Sequence, residues 1–200
     1  MRLIPTSRQG ATTLVEGSDS TAGRTDAELW TRGDEAAFGE LYDRHAEAVW
    51  NHAYRLTASW STAEDLTSST FLTAWRRRHD VTLVKDSALP WLYTVAGHLA
   101  RGEFRRTTRF QRLLRRVPVD DTVRDHADQV ATSLDGEHRL RAVLDAVARL
   151  PRSEREAVEL VLIGELPVGE AAAVLGLAEA SVRSRVSRAR SRLRGALEEK

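Results

Sequence analysis

Six arginines, at 183, 185, 188, 190, 192 and 194, fall between Ser181 and Arg194, and no acidic residue interrupts them. A guanidinium is permanently charged and holds its donors in a planar fork. That suits two tasks: pairing with phosphate and bidentate donation to a guanine edge. In the same stretch Val182, Val186, Ala189, Leu193 and Leu197 recur at spacings of 4, 3, 4 and 4, one stripe of an α-helix. A helix with one buried stripe and one guanidinium face is what the DNA major groove admits.

A second group stands upstream. Trp91 lies off the apolar stripe of its own helix, close to a loop from His79 to Ala88, and the helix runs on into Arg101, Arg105 and Arg106. A ring beside a basic helix and a loop suits single-stranded nucleic acid, whose bases stack on aromatics while arginines hold phosphates. Packing of Trp91 on a neighbouring helix accounts for the same residue equally well.

Catalysis finds no such support. The histidines at 45, 52, 79, 98, 126 and 138 and the pair Glu64-Asp65 do not form a ligand-spaced set, and no glycine-rich phosphate loop occurs. The chain contains no cysteine, which excludes disulfides, thiolate zinc sites and a cysteine nucleophile. The expectation is a binding protein with no catalytic residue, no metal and no cofactor. His45 and His52 read as core residues of a helix face.

The elements that must position these groups are helices. Before the arginine-rich helix, Glu170, Ala171, Ala172, Val174 and Leu175 make a short helical pattern, Gly176 suits a left-handed helix end, and Ser181 offers an N-cap. Upstream, Asp26 to Thr57 is helical, with a break at Gly33 and a cap at Asp34. Ser61 to Glu64 matches a capping box, and the helix it starts turns Ala63, Leu66, Thr67, Thr70, Phe71, Ala74 and Trp75 inward and Asp65, Ser68, Ser69 and Leu72 outward. Pro90 opens a third helix with Leu89, Leu92, Tyr93, Ala96, Leu99 and Ala100 as its stripe. Glu137 to Leu150 is helical, Ser153 to Glu156 is a second capping box, and Gly164 ends the helix that follows. No strand-like alternation appears. The predicted fold is all-α: two small helical domains joined by a flexible acidic linker, over a tail at 1–24, a first domain at 25–108, a linker at 109–136 and a second domain at 137–200.

The net charge of +1 hides strong segregation. Arg101 to Arg116 holds seven arginines and one acid, whereas Asp120 to Glu137 holds six acids and one arginine. No apolar run is long enough to span a membrane and no signal peptide is evident, so the cytoplasm is the expected compartment. Residues 1–24, rich in Thr, Ser and Gly, read as a disordered tail.

Taken together, residues 35–106 and 138–197 resemble the sigma factors of bacterial RNA polymerase, in the compact extracytoplasmic-function (ECF) class of the sigma-70 family. FGELYDRHAEAVWNHAYRL (38–56) resembles region 2.1. AEDLTSSTFLTAWRR (63–77) resembles region 2.2 through Asp65, Leu66, Thr70, Phe71, Ala74 and Trp75, and PWLYTVAGHLARGEFRR (90–106) resembles region 2.4. LDAVARLPRSEREAVEL (144–160) resembles region 4.1, and the hairpin ending SVRSRVSRAR (181–190) resembles region 4.2. Three departures stand out: Ser68-Ser69 for the usual Gln-Glu or Gln-Asp, Gly97-His98 for the usual Arg-Asn, and Gly102 for the usual Asp. Two glycines inside a helix each weaken it by about 1 kcal/mol relative to alanine.

The resemblance implies a division of labour. Asp65, Leu66, Ser69, Leu72 and Trp75 would dock on the β′ clamp helices of core RNA polymerase, with the β flap as a further contact. The recognition helix, with Ser181, Arg183, Ser184, Arg185, Ser187, Arg188 and Arg190, would enter the −35 major groove. Arg183, Ser184, Ser187 and Arg188 would face bases, and Arg185, Arg190 and Arg192 would serve phosphates or domain packing. Lys85, Asp86, Trp91, His98, Arg101, Arg105 and Arg106 would capture and hold the melted −10 strand. An anti-sigma factor is a further implied partner, and no membrane insertion is expected. The competing reading is a helix-turn-helix regulator that does not dock as a sigma subunit.

Overall fold

The computed structural model describes residues 24–83, 85–114 and 131–198, and all its regular structure is helical. The expected tail, except for Arg24, lies outside the described residues, as does the acidic middle of the expected linker. Helix α1 (Asp26–Arg32) ends at Gly33 in the left-handed conformation, and α2 (Glu35–Thr57) begins on Asp34, whose side chain accepts from Ala37 N at 2.8 Å. Both features match the expected break.

Helix α3 (Trp60–Arg77) starts earlier than its apparent capping box. Ser59 is the N-cap, its hydroxyl accepting from Thr62 N, because α2 closes at Ala58 in the left-handed region and delivers Ser59 in extended form. Helix α4 (Leu89–Leu114) continues through both glycines and past residue 108 into the expected linker, and α5 (Ala131–Arg149) likewise begins inside it. Helix α6 (Arg152–Val158) follows Pro151 with no side-chain cap, so the expected capping box at Ser153 is not formed. It continues into a π turn at Glu159–Ile163, which periodicity gave no reason to expect. Helices α7 (Val168–Leu175) and α8 (Glu179–Glu198) complete the chain.

The first half packs α2, α3 and α4 around Leu41, Val49, Phe71, Ala74, Leu92 and Tyr93. In the second half α6 and α7 lie against α8 through Ala157, Leu160, Ala171, Ala172, Val182 and Val186. These two sets belong to one continuous apolar cluster, so the halves are packed on each other rather than merely tethered.

Candidate nucleic-acid interface

The turn of the hairpin is set by Gly176, at φ 65°, a conformation that a side chain would strain. Leu177 N donates back to Ala172 O at 2.9 Å, closing the end of α7. Helix α8 starts at Glu179, two residues before the expected cap. Ser181 therefore stands exposed in the first turn, donating its N–H to Ala178 O at 2.9 Å. Val182, Val186 and Ala189 are buried, so the stripe fixes the roll of the helix. Arg183, Ser184, Ser187, Arg188 and Arg190 are left exposed, and Arg185 is partly covered.

Carboxylates flank this face. Glu179 pairs with Arg183 one turn away. The buried Glu154 of α6 reaches Arg188 at 3.6 Å and Arg192 at 3.1 Å, which ties Arg192 to the domain. Arg183 and Arg188 remain well over half exposed. The exposed Glu179–Arg183 pair contributes at most about 1 kcal/mol and is screened by salt.

On α3, Asp65, Ser68, Ser69 and Leu72 form an exposed strip as expected, and Tyr42 of α2 adds a half-exposed ring against Phe71. Leu66 does not belong to that surface. It is buried against Ala53, Ala63 and Ala100, because its position on α3 faces α2 and α4. Trp75 is partly buried, edge-on to Phe38 at 5.2 Å, with the Arg78 guanidinium 3.6 Å above its ring. It shapes the end of the strip more than it projects from it.

The loop before α4 is pinned at both ends by α1. Trp30 Nε1 donates to Val81 O at 2.8 Å, and Ala88 N donates to Asp26 Oδ2 at 2.8 Å. Asp26 also accepts from Arg44 Nη1 and from His45 Nε2, each at 2.6 Å. Burial pushes the Asp26 carboxyl up, but the His45 bond, the Ala88 N–H and Arg44 outweigh it and hold the group at about 2. Spacing in the sequence marks neither Asp26 nor Trp30 as a site residue. Only the contact across 51 and 62 positions reveals them. Lys85 and Asp86 are exposed on this loop. Trp91 packs edge-on to Trp30 at 5.3 Å, and it also lines a recess with Leu83, Lys85 and Ser87. The two readings of that ring are therefore compatible.

Further along α4, Arg105 and Arg106 are exposed and His98 is half-exposed. Arg101 differs. It is nearly buried and ion-paired to Glu159 of the π turn, with Glu156 at 3.7 Å. Burial pushes the Glu159 carboxyl up to about 7, against the pull of Arg101 and Arg155. Among the described residues no three His, Asp or Glu side chains gather as a metal site needs, and no helix is long and apolar enough to cross a membrane.

Comparison with known proteins accounts for both halves. The family model for sigma-70 region 2 matches residues 41–110 and that for sigma-70 region 4 matches residues 140–193. The chain is 33% identical over 160 residues to the ECF RNA polymerase sigma factor SigL of Mycobacterium tuberculosis, covering 80% of this chain and 88% of SigL. It is 34% identical over 155 residues to the ECF RNA polymerase sigma factor BldN of Streptomyces coelicolor, covering 76% of this chain but only 57% of BldN. Among solved structures, the sigma factor RpoE of Bartonella quintana, in complex with the anti-sigma factor NepR, aligns at 25% identity with a TM-score of 0.51, over 80% of this chain and 96% of that one. CnrH in complex with the cytosolic domain of CnrY shares the fold, with a TM-score of 0.59 at 24% identity over 88% and 98% of the two chains. The α3 strip, the loop pinned beside α4 and the arginine helix are thus features of a member of the ECF class of RNA polymerase sigma factors, in the sigma-70 family.

Proposed function

We propose that this sigma factor divides promoter work between its halves. Residues 25–108 dock on the β′ clamp helices of core polymerase through Asp65, Ser69 and Leu72 and receive the −10 strand at Lys85, Asp86, Trp91, His98, Arg101, Arg105 and Arg106. Residues 137–200, which also meet the β flap, read the −35 element through Arg183, Ser184, Ser187 and Arg188, with Ser181, Arg185 and Arg190 serving the backbone. The linker at 109–136 spans the distance between them. The chain acts in the cytoplasm by binding alone, without a catalytic group, metal or cofactor.

The observation that carries this reading is the roll of α8. With Val182, Val186 and Ala189 buried, Arg183, Ser184, Ser187 and Arg188 come to one exposed face, the disposition a groove-reading helix needs. The solved relative RpoE is held by the anti-sigma factor NepR. We extend that type of partner to this chain. The test is run-off transcription with core polymerase over a genomic promoter library. Stoichiometric binding and discrete start sites support the reading, and absence of polymerase binding sinks it.

A further inference from the structure

Glu154 carries a carboxylate into the interior. It stands in the first turn of α6 and is 5% exposed. One turn farther along the same helix, Val158 is buried in a cluster with Ala189 of α8. Ala189 is small and fully buried, so α6 lies close against α8 and Glu154 comes to rest under that helix.

A carboxylate so placed requires counter-charge. Two guanidiniums supply it, from positions one turn apart on α8. Arg188 Nε lies 3.6 Å from Glu154 Oε1, and Arg192 Nε lies 3.1 Å from Oε2. Each arginine comes nearest through Nε, at the inner end of its guanidinium. The terminal Nη groups lie farther out, on side chains that are 58% and 59% exposed. Glu154 Oε2 accepts no hydrogen bond, so charge rather than a directed bond holds the group. The two contacts are also unequal. Arg192 is the nearer and has no base-facing role. Arg188 is the farther and shares the groove face with Arg183, Ser184 and Ser187. Arg183 pairs instead with Glu179, a carboxylate that is 51% exposed. Arg188 is therefore backed by an anion anchored in the fold, whereas the partner of Arg183 lies in solvent.

We propose that Glu154 is a positioning residue for −35 readout: it sets the plane and reach of Arg188 for one guanine, while Arg192 stays behind as its counter-charge. The base-facing role of Arg188 rests on the function proposed above; the arrangement of the three side chains does not. An arginine on a long stem loses rotamer freedom when it binds. One held beforehand by a buried anion has less to lose. The benefit is selective. A phosphate pairs with an arginine in many orientations, but O6 and N7 of guanine need the fork in one plane. The negative charge of Glu154 also opposes the phosphates of any duplex. Glu154 thus adds selectivity rather than strength. When Arg188 leans toward DNA, Arg192 keeps the buried carboxylate compensated, so the exchange leaves no unpaired charge inside the domain.

The test uses the full chain bound to core polymerase and a pool of promoter duplexes randomised through the upstream element, sequenced before and after capture. We expect Arg188→Ala to abolish a guanine preference at one position. Glu154→Gln keeps the shape and removes the charge. It lowers that same preference by about tenfold, leaves the other positions as they were, and does not weaken binding to a mixed-sequence duplex. Glu179→Gln removes an equal charge from the exposed pair and leaves the preference at the Arg188 position unchanged. Added to Arg188→Ala, Glu154→Gln changes the preference no further. Arg192→Met makes Arg188 the sole counter-charge and lowers the preference at its position by about fivefold or more. A guanine preference within about twofold of the parent's in Glu154→Gln overturns the proposal. So does a loss spread evenly over all positions, which marks a role in folding alone. If Glu154→Gln does not fold, as judged by circular dichroism, Arg192→Met decides: a uniform loss of binding with the guanine preference intact overturns the proposal. If Arg188→Ala removes no preference, the base-facing role of Arg188 falls and the positioning role with it. If Arg188→Ala removes it and Glu154→Gln does not, only the positioning role falls.

Discussion

Asp26→Asn tests the pinning of the loop before α4. Asp26 is 4% exposed and accepts three hydrogen bonds, from Arg44, His45 and Ala88 N. Its pKa falls from 3.8 to about 2. At about 1.4 kcal/mol per unit, that depression corresponds to ~2.5 kcal/mol of stability at neutral pH. The folded value lies below the unfolded one, so this stability is present above pH ~4 and is lost as the pH falls toward 2. Asparagine keeps one acceptor but turns an N–H toward donors and removes the charge that holds Arg44 and His45. Urea unfolding followed by tryptophan fluorescence should show the variant about 2 kcal/mol less stable at pH 7, with roughly half of that difference gone by pH 3. A loss under about 0.5 kcal/mol at pH 7, or one that does not shrink on acidification, refutes the assignment of the carboxylate as the charged hub of this loop.

Arg188→Ala should reduce discrimination between −35 sequences by about 1–3 kcal/mol, measured as competition between promoter duplexes, because its guanidinium is exposed on the groove face. Asp65→Ala should weaken binding to core polymerase in a pull-down while leaving binding of the full chain to a −35 duplex unchanged. His52 is fully buried, its ring stacked on Tyr93 at 4.1 Å, and burial, aided by Arg55, pushes its pKa down to about 4. The unfolded chain takes up a proton below pH ~6.5 that the folded chain refuses, so wild-type stability falls between pH ~6.5 and 4, and His52→Phe should gain about 2 kcal/mol on wild type between pH 7 and pH 5 in urea titrations.

What could be read from the sequence was whatever local periodicity determines. The stripe Val182, Val186 and Ala189 was legible because each residue lies one helical turn from the next, and burial follows. Leu66 is instructive in the other direction. Its spacing from Ala63 and Thr70 placed it inside, and it is inside; only the role carried over by resemblance placed it on the polymerase-facing strip. Caps were harder, because Ser59, Ser61 and Thr62 are all competent and the left-handed Ala58 decides which one is used. Glu154 beneath Arg188 and Arg192 and the Asp26 hub both depend on contacts between distant segments. No window of local sequence contains them. The departure at Gly97 was visible, but its meaning was not, since the residue that fills the space lies 62 positions away.

Segregated charge in a chain of net +1 acquires a structural sense from these pairs. The arginines at 101, 183, 188 and 192 each face a carboxylate supplied from within the chain. Around α8 the arginines are more than half exposed, so water and salt already compete for them, and exchanging the exposed Glu179 for a DNA phosphate on Arg183 costs on the order of 1 kcal/mol or less. Arg101 differs in that both members of its pair are nearly buried, the guanidinium at 11% and the Glu159 carboxylate at 8% exposure, so the pair separates only if α4 and the π turn move apart. On the function proposed above, the arginines of α8 are available to a duplex as they stand, whereas Arg101 reaches a strand only after it leaves Glu159; that difference follows from exposure rather than from the number of charges.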